Sequence, residues 1–257
     1  MPQINPCHLE DIEADLAKSQ SDLSFVFHTC SGTNIGLVRT TNEDAFYVDE
    51  KKGLWLVADG MGGQLRGDKA SASVIENIRS FTPLETLTES IKDLETRFLL
   101  ANNTCRNMYG KKVVGSTVAA LFAYRSLAIF LWAGDSRIYR LRDGVLALMT
   151  EDHCLAQERF RRGEISRDEA QLLPSANVLT RAIGIHQNLR IEMQSAVIQS
   201  GDRYLISSDG LYREFAFDEV QNMLRGNAPE KILKKITCQA LERGGKDNIT
   251  GILMTVS

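Results

Sequence analysis

The sequence lacks the excess of basic residues that proteins bound to nucleic acid or to anionic membranes usually carry. Its 257 residues include 30 Lys and Arg residues against 33 Asp and Glu residues, which gives a net charge of −3. Without a basic field, neither nucleic acid nor an anionic membrane is an expected partner. The polar, acidic N-terminus also lacks the apolar core of a signal peptide.

Cysteines are few, and no two of them have the spacing of a disulfide or metal-binding motif. Cys7, Cys30, Cys105, Cys154 and Cys238 form an odd set without a Cys-x-x-Cys pair. This pattern argues against a disulfide framework and against a zinc site, and it favours a reducing compartment. We therefore predict a cytoplasmic protein.

Long apolar runs are rare as well. Residues 117–134 are nearly continuous apolar sequence and are about long enough to span a bilayer. Arg125 lies in the middle of this run, where a charge at the centre of a membrane helix costs about 2.5–3.5 kcal/mol. The triplet Tyr124-Arg125-Ser126 instead predicts the turn of a buried β-hairpin, so we expect no insertion into a membrane.

The sequence does contain a recurring combination of an apolar strand and an aspartate. Three short apolar runs that predict buried strands end at an aspartate, and a fourth run begins just after one. These aspartates are Asp59, Asp135, Asp209 and Asp247. In antiparallel sheets the end of one strand lies beside the start of its neighbour, so the four residues can meet at one edge. Carboxylate oxygens are the ligands of hard cations such as Mg²⁺ and Mn²⁺.

Hydrophobic periodicity predicts groups of strands that alternate with groups of helices. Helices are expected at 67–80, 86–108, 217–224 and 229–242, with strands before, between and after them. This order is typical of an α+β sandwich in which helices cover both faces of two antiparallel sheets.

Residues 1–23 are interpreted as an N-terminal extension, and residues 24–257 as one domain. Leu9, Ile12 and Leu16 have helical spacing among acidic residues. Such a segment could dock a partner, but we expect a frayed tail or a segment that packs on its own domain.

Six motifs follow one another in a fixed order. They are Arg39-Thr-Thr-Asn-Glu43-Asp44, Val57-Ala-Asp59-Gly60-Met61-Gly62-Gly63, Gly115-Ser116-Thr117, Gly134-Asp135-Ser136-Arg137, Ser208-Asp209-Gly210 and Asp247-Asn248-Ile249-Thr250. Over roughly residues 25–257 the chain resembles the bacterial branch of the PP2C-type (PPM family) metal-dependent protein serine/threonine phosphatases. Each motif alone is weak, since Asp-Gly pairs are common in turns, but six in order are a specific signal. The resemblance implies a four-layer sandwich of two central antiparallel sheets flanked by helices, with a flap at about 151–184.

The resemblance also implies a binuclear Mn²⁺ or Mg²⁺ centre. Asp59 would bridge both ions, Gly60 would supply a backbone carbonyl, and Asp209 and Asp247 would bind one ion directly. Glu43 would help to hold the other ion, largely through water.

Further residues match the family around this centre. Arg39 corresponds to the phosphate clamp, since a guanidinium suits bidentate contact with two phosphate oxygens. Asp44 and Asn248 would support the ligands from behind, with Asp44 orienting Arg39 or metal-bound water. Asp135 has two interpretations that stay open: it binds a third metal ion, or it caps a turn and pairs with Arg137.

The general acid is not assigned by the motifs. Animal members carry a histidine at the position of Met61, and methionine cannot protonate a leaving group. A metal-bound water is our candidate. His153 is the histidine of this chain that lies near the motifs, and it is interpreted as a hydrogen-bonded loop residue.

The implied function is hydrolysis of phosphoserine and phosphothreonine through attack of a hydroxide that bridges the two ions. The expected partners are phosphoproteins made by a cognate serine/threonine kinase, and the expected state is a monomer. One alternative is a catalytically weak phosphoprotein-binding or sensing module of the same fold, and a weaker one is a phosphohydrolase of small molecules. A degenerate module would have lost Asp59, Asp209 or Asp247, and all three are present.

Overall fold

A computed structural model of the chain describes residues 25–62, 66–108, 113–166, 178–226 and 228–257, together with residues 9, 12, 13, 110, 169, 170 and 173. Most of the N-terminal extension, Gly63 in the second motif and parts of the expected flap lie outside these residues.

The described strands form two antiparallel sheets. They are β1 (Phe27–Asn34), β2 (Asp44–Asp49), β3 (Leu54–Met61), β4 (Gly115–Ser116), β5 (Val118–Tyr124), β6 (Leu127–Ala133), β7 (Arg137–Arg142), β8 (Val145–Leu148), β9 (Glu192–Val197), β10 (Arg203–Ser207) and β11 (Ile249–Val256). The first sheet has the order β1-β11-β10-β7-β8. The second has the order β2-β3-β5-β6-β9, with β4 paired to β3.

Most of the described helices pack on the outer faces of the sheets. They are α1 (Gly67–Arg79), α2 (Leu87–Asn107), α3 (Leu155–Arg161), α4 (Asp209–Tyr212), α5 (Phe217–Leu224) and α6 (Pro229–Glu242). The start of α2 is capped by the Thr86 hydroxyl, which accepts a hydrogen bond from the Glu89 amide at 3.1 Å. Pro229 occupies the first turn of α6, where its missing amide hydrogen has no helical partner to lose.

The alternation of side chains along β3 shows how the layers are built. Leu54, Leu56 and Ala58 face the core beneath α1 and α2, whereas Trp55 and Val57 face the core between the two sheets. A third core lies between the first sheet and helices α5 and α6. Since successive residues of a strand point to opposite faces, one buried strand serves two cores. The four-layer α+β sandwich expected from the sequence is confirmed.

The apolar run at 117–134 is a hairpin, as its central arginine indicated. Strands β5 and β6 pair from Val118 with Ala133 to Tyr124 with Leu127. Arg125 in the turn has a φ of 51°, the left-handed conformation that tight hairpin turns require. Among the described residues, no helix is long and apolar enough to cross a membrane.

The first strand lies further along the chain than its apolar residues suggest. The sequence predicts a strand at 24–29, but β1 extends from Phe27 to Asn34. It pairs with β11 along its whole length, so its bounds follow from the neighbouring strand rather than from local pattern.

Three described residues of the N-terminal extension pack on the domain itself. Leu9 is 2% exposed within the core beneath α1 and α2, and Ile12 packs against the same core. The Glu13 carboxylate accepts hydrogen bonds from the Leu87 amide at 2.8 Å and the Thr88 hydroxyl at 3.0 Å. The extension therefore contributes an acidic group to the N-terminus of α2, where a negative charge is favourable.

We predict that Glu13→Ala lowers the free energy of unfolding by about 0.5–2 kcal/mol, the usual effect of removing a helix cap. Urea denaturation would measure it. The control is Glu76→Ala, an exposed position on α1, for which we expect a change within about 0.5 kcal/mol. Equal effects of the two substitutions would contradict a capping role for Glu13.

Candidate metal centre and phosphate site

A cleft of about 340 Å³ opens where strand ends of the two sheets meet. Asp59 lies on β3, Asp135 follows β6, Asp209 follows β10, and Asp247 precedes β11. All four aspartates line this cleft. The antiparallel arrangement thus brings together residues that are up to 188 positions apart in sequence, from 59 to 247.

The other predicted site residues also line the cleft, with the exception of Asp44. They are Arg39, Glu43, Gly60 and Asn248. Thr117 and Arg213 add polar groups to the lining, and Met61, Leu179 and Ile185 contribute apolar surface.

Asp59 is held in place through its backbone. Its amide donates to the Thr117 hydroxyl at 3.0 Å, and the Thr117 amide donates to the Asp59 carbonyl at 2.8 Å. The Thr117 hydroxyl also lies 2.6 Å from that of Ser136, which links β3 to the turn that carries Asp135. Thr117, which lines the cleft, thus satisfies both backbone groups of Asp59.

The electrostatic setting of Asp59 calls for a cation. Burial raises the pKa of its carboxyl well above the usual range, and the nearby carboxylates of Asp44, Asp209, Asp135 and Asp247 raise it further. Burial and like charge both disfavour an ionised carboxylate. A positive charge in the cleft would reverse both effects.

Gly60 on β3 and Glu43 both lie against Gly67 at the start of α1. A Cβ atom at Gly60 would lie closer than van der Waals contact to the carbonyl oxygens of Gly67 and Glu43, so only glycine fits there. The Glu43 carboxylate accepts from the Gly67 amide at 2.8 Å, at the N-terminus of α1. Burial raises the pKa of Glu43, although the Gly67 amide and the charge of Arg39 oppose this shift.

Asn248 connects three segments around the cleft. Its side-chain oxygen accepts from the Glu43 amide at 2.8 Å, and its amide group donates to the carbonyls of Ile35 and Thr41 at 2.9 and 3.1 Å. It thereby ties the loop that carries Arg39 to the start of β11. Asn248 therefore lines the cleft and also supports the segments around it.

Arg39 lies at the mouth of the cleft with its side chain 52% exposed. Its Nη2 donates to Asp247 Oδ2 at 2.7 Å. This hydrogen bond is the main cause of the raised pKa of the Arg39 guanidinium. Among the described residues Arg39 therefore binds Asp247 and not Asp44. Of the two roles expected for Asp44, the orientation of metal-bound water stays a prediction.

Asp44 instead supports the turn after β10. Its Oδ2 accepts from the Ser208 hydroxyl at 2.8 Å, and Ser208 in turn accepts from the Thr250 amide at 3.0 Å. Its buried Oδ1 has no hydrogen-bond partner in the described part of the chain. Burial raises the pKa of Asp44 to about 7, against the opposing hydrogen bonds of Thr250 and Ser208.

Arg213, which the sequence reasoning missed, bridges two of the aspartates. Its Nη2 lies 2.8 Å from Asp135 Oδ2 and its Nη1 lies 2.8 Å from Asp209 Oδ2. Arg137 pairs with Asp152 at 2.7 Å, so the expected alternative pairing of Arg137 with Asp135 is wrong. The four-residue spacing from Asp209 to Arg213 was the available signal, since such residues lie on one face of a helix.

His153 lies behind the Asp135 turn. Its Nδ1 accepts from the Gly134 amide at 3.1 Å, and its ring stacks on Trp132. Burial, reinforced by the charge of Arg181, lowers the pKa of His153 to about 3. The ring is therefore neutral near pH 7 and cannot act as a proton donor, in agreement with its interpretation as a hydrogen-bonded loop residue.

The expected flap is described in part. Ser166 and Glu169 form a capping box, because the Ser166 amide donates to the Glu169 carboxylate at 2.7 Å and the Glu169 amide donates to the Ser166 hydroxyl at 3.2 Å. The backbone of Cys154 forms an isolated antiparallel β-bridge with that of Leu179, and Leu179 lines the cleft.

The donor set of the cleft fits hard divalent cations. Within the described ranges, no three His, Cys, Asp or Glu side chains lie close enough together to hold one ion. Arg39 pairs with Asp247, and Arg213 pairs with Asp135 and Asp209. The donors are nevertheless all oxygen, and the buried Oδ1 of Asp209 has no hydrogen-bond partner among the described residues. Oxygen-rich sites of this kind suit Mg²⁺ or Mn²⁺. The fold and cleft thus define a site for metal ions beside an exposed guanidinium.

Comparison with known proteins gives the family. Residues 38–253 match the family model described as protein phosphatase 2C. The serine/threonine phosphatase stp of Listeria monocytogenes is 33% identical over 238 residues, which cover 86% of this chain and 93% of that protein.

Two solved structures have the same fold. PppA, described as a key regulatory component of T6SS in Pseudomonas aeruginosa, has a TM-score of 0.82 and 34% identity, and the match covers 91% of this chain and all of PppA. The catalytic domain of the serine/threonine protein phosphatase PstP, in complex with two manganese ions, has a TM-score of 0.79 and 27% identity over 91% and 99% of the two chains. The present chain therefore belongs to the protein phosphatase 2C family of metal-dependent protein serine/threonine phosphatases.

The raised pKa of Asp44 predicts how the metal-free protein responds to pH. Between about pH 4 and pH 7 the folded state holds a proton on Asp44 that the unfolded state releases, so this group makes stability fall as pH rises. We expect Asp44→Asn to stabilise the protein at pH 8 by about 1–3 kcal/mol and to flatten the decline.

Urea denaturation in EDTA at a series of pH values from 5 to 8 would test this prediction. Asp218→Asn, at an exposed position, is the control and should leave the pH dependence unchanged. A slope in Asp44→Asn that matches the wild type would contradict the assignment.

Proposed function

We propose that this chain removes phosphate from phosphoserine and phosphothreonine in proteins, with two Mn²⁺ or Mg²⁺ ions in the described cleft. The observation that carries the proposal is the meeting of Asp59, Asp209 and Asp247 beside Arg39. Its substrates would be the products of a cognate serine/threonine kinase in the cytoplasm. Residues 24–257 would form the catalytic domain, with residues 151–184 as a flap beside the cleft.

The carboxylates would share the ions in the way that the family resemblance implies. Asp59 would contact both ions, Asp209 and Asp247 would hold one, and Glu43 with the Gly60 carbonyl would help to hold the other. When bound, such ions lower the pKa of a coordinated water to about 7 and neutralise phosphoryl oxygens. The chain's own contribution is to keep these oxygen atoms in place against their mutual repulsion.

Arg39 would bind the phosphoryl group of the substrate. Its guanidinium is half exposed at the mouth and donates one observed hydrogen bond, to Asp247, so further donors are free to face an anion. A planar guanidinium binds two phosphate oxygens at once, which also fixes the orientation of the ester.

Protonation of the leaving group would come from water in the cleft. Met61 lines the cleft and carries no proton to donate, while His153 is neutral and buried behind the Asp135 turn. We therefore assign no side chain of this chain as general acid.

A binding or sensing module of the same fold remains the competing function. Such a module would not need the complete ligand set, yet Asp59, Asp209 and Asp247 all line the cleft. Turnover of a phosphopeptide separates the two functions directly.

The first test is the metal requirement of that turnover. We expect the purified protein to release phosphate from a phosphothreonine peptide with added Mn²⁺ or Mg²⁺, and to lose this activity in EDTA. Asp59→Asn should reduce kcat by more than about 100-fold even with metal, the scale for loss of one electrostatic contact in a transition state.

Asp143→Asn in the β7–β8 turn serves as the control for that substitution and should keep wild-type kcat. Full activity in metal-free buffer would refute the metal centre. Wild-type kcat in a folded Asp59→Asn variant would refute the role of Asp59 alone.

Arg39→Ala tests the phosphate site. Loss of a charged, bidentate contact costs about 1.5–3 kcal/mol, so kcat/KM should fall roughly 10–150-fold, mainly through a higher KM. Arg39→Lys keeps the charge without the planar fork and should recover only part of the loss. Steady-state kinetics on the phosphopeptide would measure both variants, and an unchanged kcat/KM would assign Arg39 a purely structural role.

A further inference from the structure

Arg213 occupies a defined position between two acidic turns of the cleft. It follows helix α4 directly, and its amide donates to the Asp209 carbonyl at 2.9 Å. Its two Nη atoms each lie 2.8 Å from a carboxylate oxygen, one of Asp135 and one of Asp209. The guanidinium thus binds both acidic side chains at once.

The surroundings fix this arrangement further. The Tyr212 hydroxyl donates to the Asp135 carbonyl at 2.9 Å, so the residue before Arg213 also holds the Asp135 turn. The side chains of Asp135 and Asp209 are 6% and 12% exposed, and that of Arg213 is 34% exposed towards the cleft. A buried pair of carboxylates needs a positive partner, and here that partner belongs to the chain.

The same two carboxylates are the pair from which the family resemblance implies a third metal ion. A divalent cation between them would meet the Arg213 guanidinium, and the two positive charges would repel each other at close range. Asp209 can still bind its ion of the two-ion centre, because its Oδ1 has no hydrogen-bond partner among the described residues. Asp135, in contrast, uses its Oδ2 and its carbonyl to bind Arg213 and Tyr212.

We propose that Arg213 takes the place of a third cation, so that this chain binds two metal ions and Asp135 anchors Arg213 instead of binding metal. The proposal rests on the proposed function, since it presumes the two-ion centre. It makes Arg213 a positioning residue that holds the Asp209 side chain towards that centre.

The test is to count bound ions. Equilibrium dialysis against increasing Mn²⁺, with elemental analysis of the protein, should give two ions per wild-type chain at saturation. Arg213→Ala removes the guanidinium and leaves the two carboxylates free, so it should bind one ion more. Arg213→Gln, closer to arginine in size, should behave in the same way if the alanine variant fails to fold.

Two further variants make the count specific. Asp135→Ala combined with Arg213→Ala should return the count to two, because the additional ion needs both carboxylates. Arg243→Ala removes a guanidinium that pairs with Glu219 at 2.6 Å on the surface, and it should leave the count at two.

The outcomes separate this proposal from the proposed function. Three ions per wild-type chain would overturn the proposal and leave the phosphatase function intact. An unchanged count in both folded Arg213 variants would overturn it as well. Wild-type protein that binds no Mn²⁺ at all would overturn the metal centre and this proposal together.

Discussion

Repulsion among buried carboxylates is the constraint around which this structure is organised. Asp59 lies within the electrostatic reach of four other aspartates, and each of them disfavours its ionised form. A cluster of this kind is unfavourable in a folded protein unless cations accompany it. The fold therefore holds the backbone around the cluster through uncharged groups, and Arg39 and Arg213 supply positive charge to three of its carboxylates.

Those contacts are mostly hydrogen bonds to the backbone. The side-chain oxygens of Thr117, Asn248 and Ser208 each accept a hydrogen bond from a backbone amide. The donors are the amides of Asp59, Glu43 and Thr250, respectively. Each of these side chains is uncharged, and each residue lies directly before or after a strand. The backbone around the acidic groups is thus held by hydrogen bonds of uncharged side chains at the ends of strands in the two sheets. The buried apolar cores therefore stabilise the fold, while the unfavourable electrostatic energy is confined to the cleft.

The sequence predicts the parts that follow from local pattern. Apolar runs that end at Asp59 and Asp209 define both the strands and the convergence of the acids, because antiparallel pairing leaves few other arrangements. The predicted bounds of the first strand were wrong, because the observed bounds of β1 are determined by its pairing with β11. The short α4 and the bridge from Arg213 to Asp135 were missed, because contact between residues 78 positions apart depends on tertiary structure. Arg39 was assigned to phosphate, but its bond to Asp247 could not be read from spacing.

The two arginines of the cleft differ in how firmly they are held, and this difference suits two separate tasks. Arg213 binds two largely buried carboxylates, whereas Arg39 is 52% exposed and binds one carboxylate that is itself 35% exposed. Under the proposed function, an ion bound by Asp247 would neutralise the charge that attracts Arg39. The guanidinium of Arg39 would then turn to the phosphoryl oxygens, so metal binding would favour substrate binding. Arg213 would stay in place, because Asp135 binds no ion under the further proposal and keeps its hydrogen bond to the guanidinium. The cleft would thereby combine one fixed positive charge with one that is exchanged between protein and substrate.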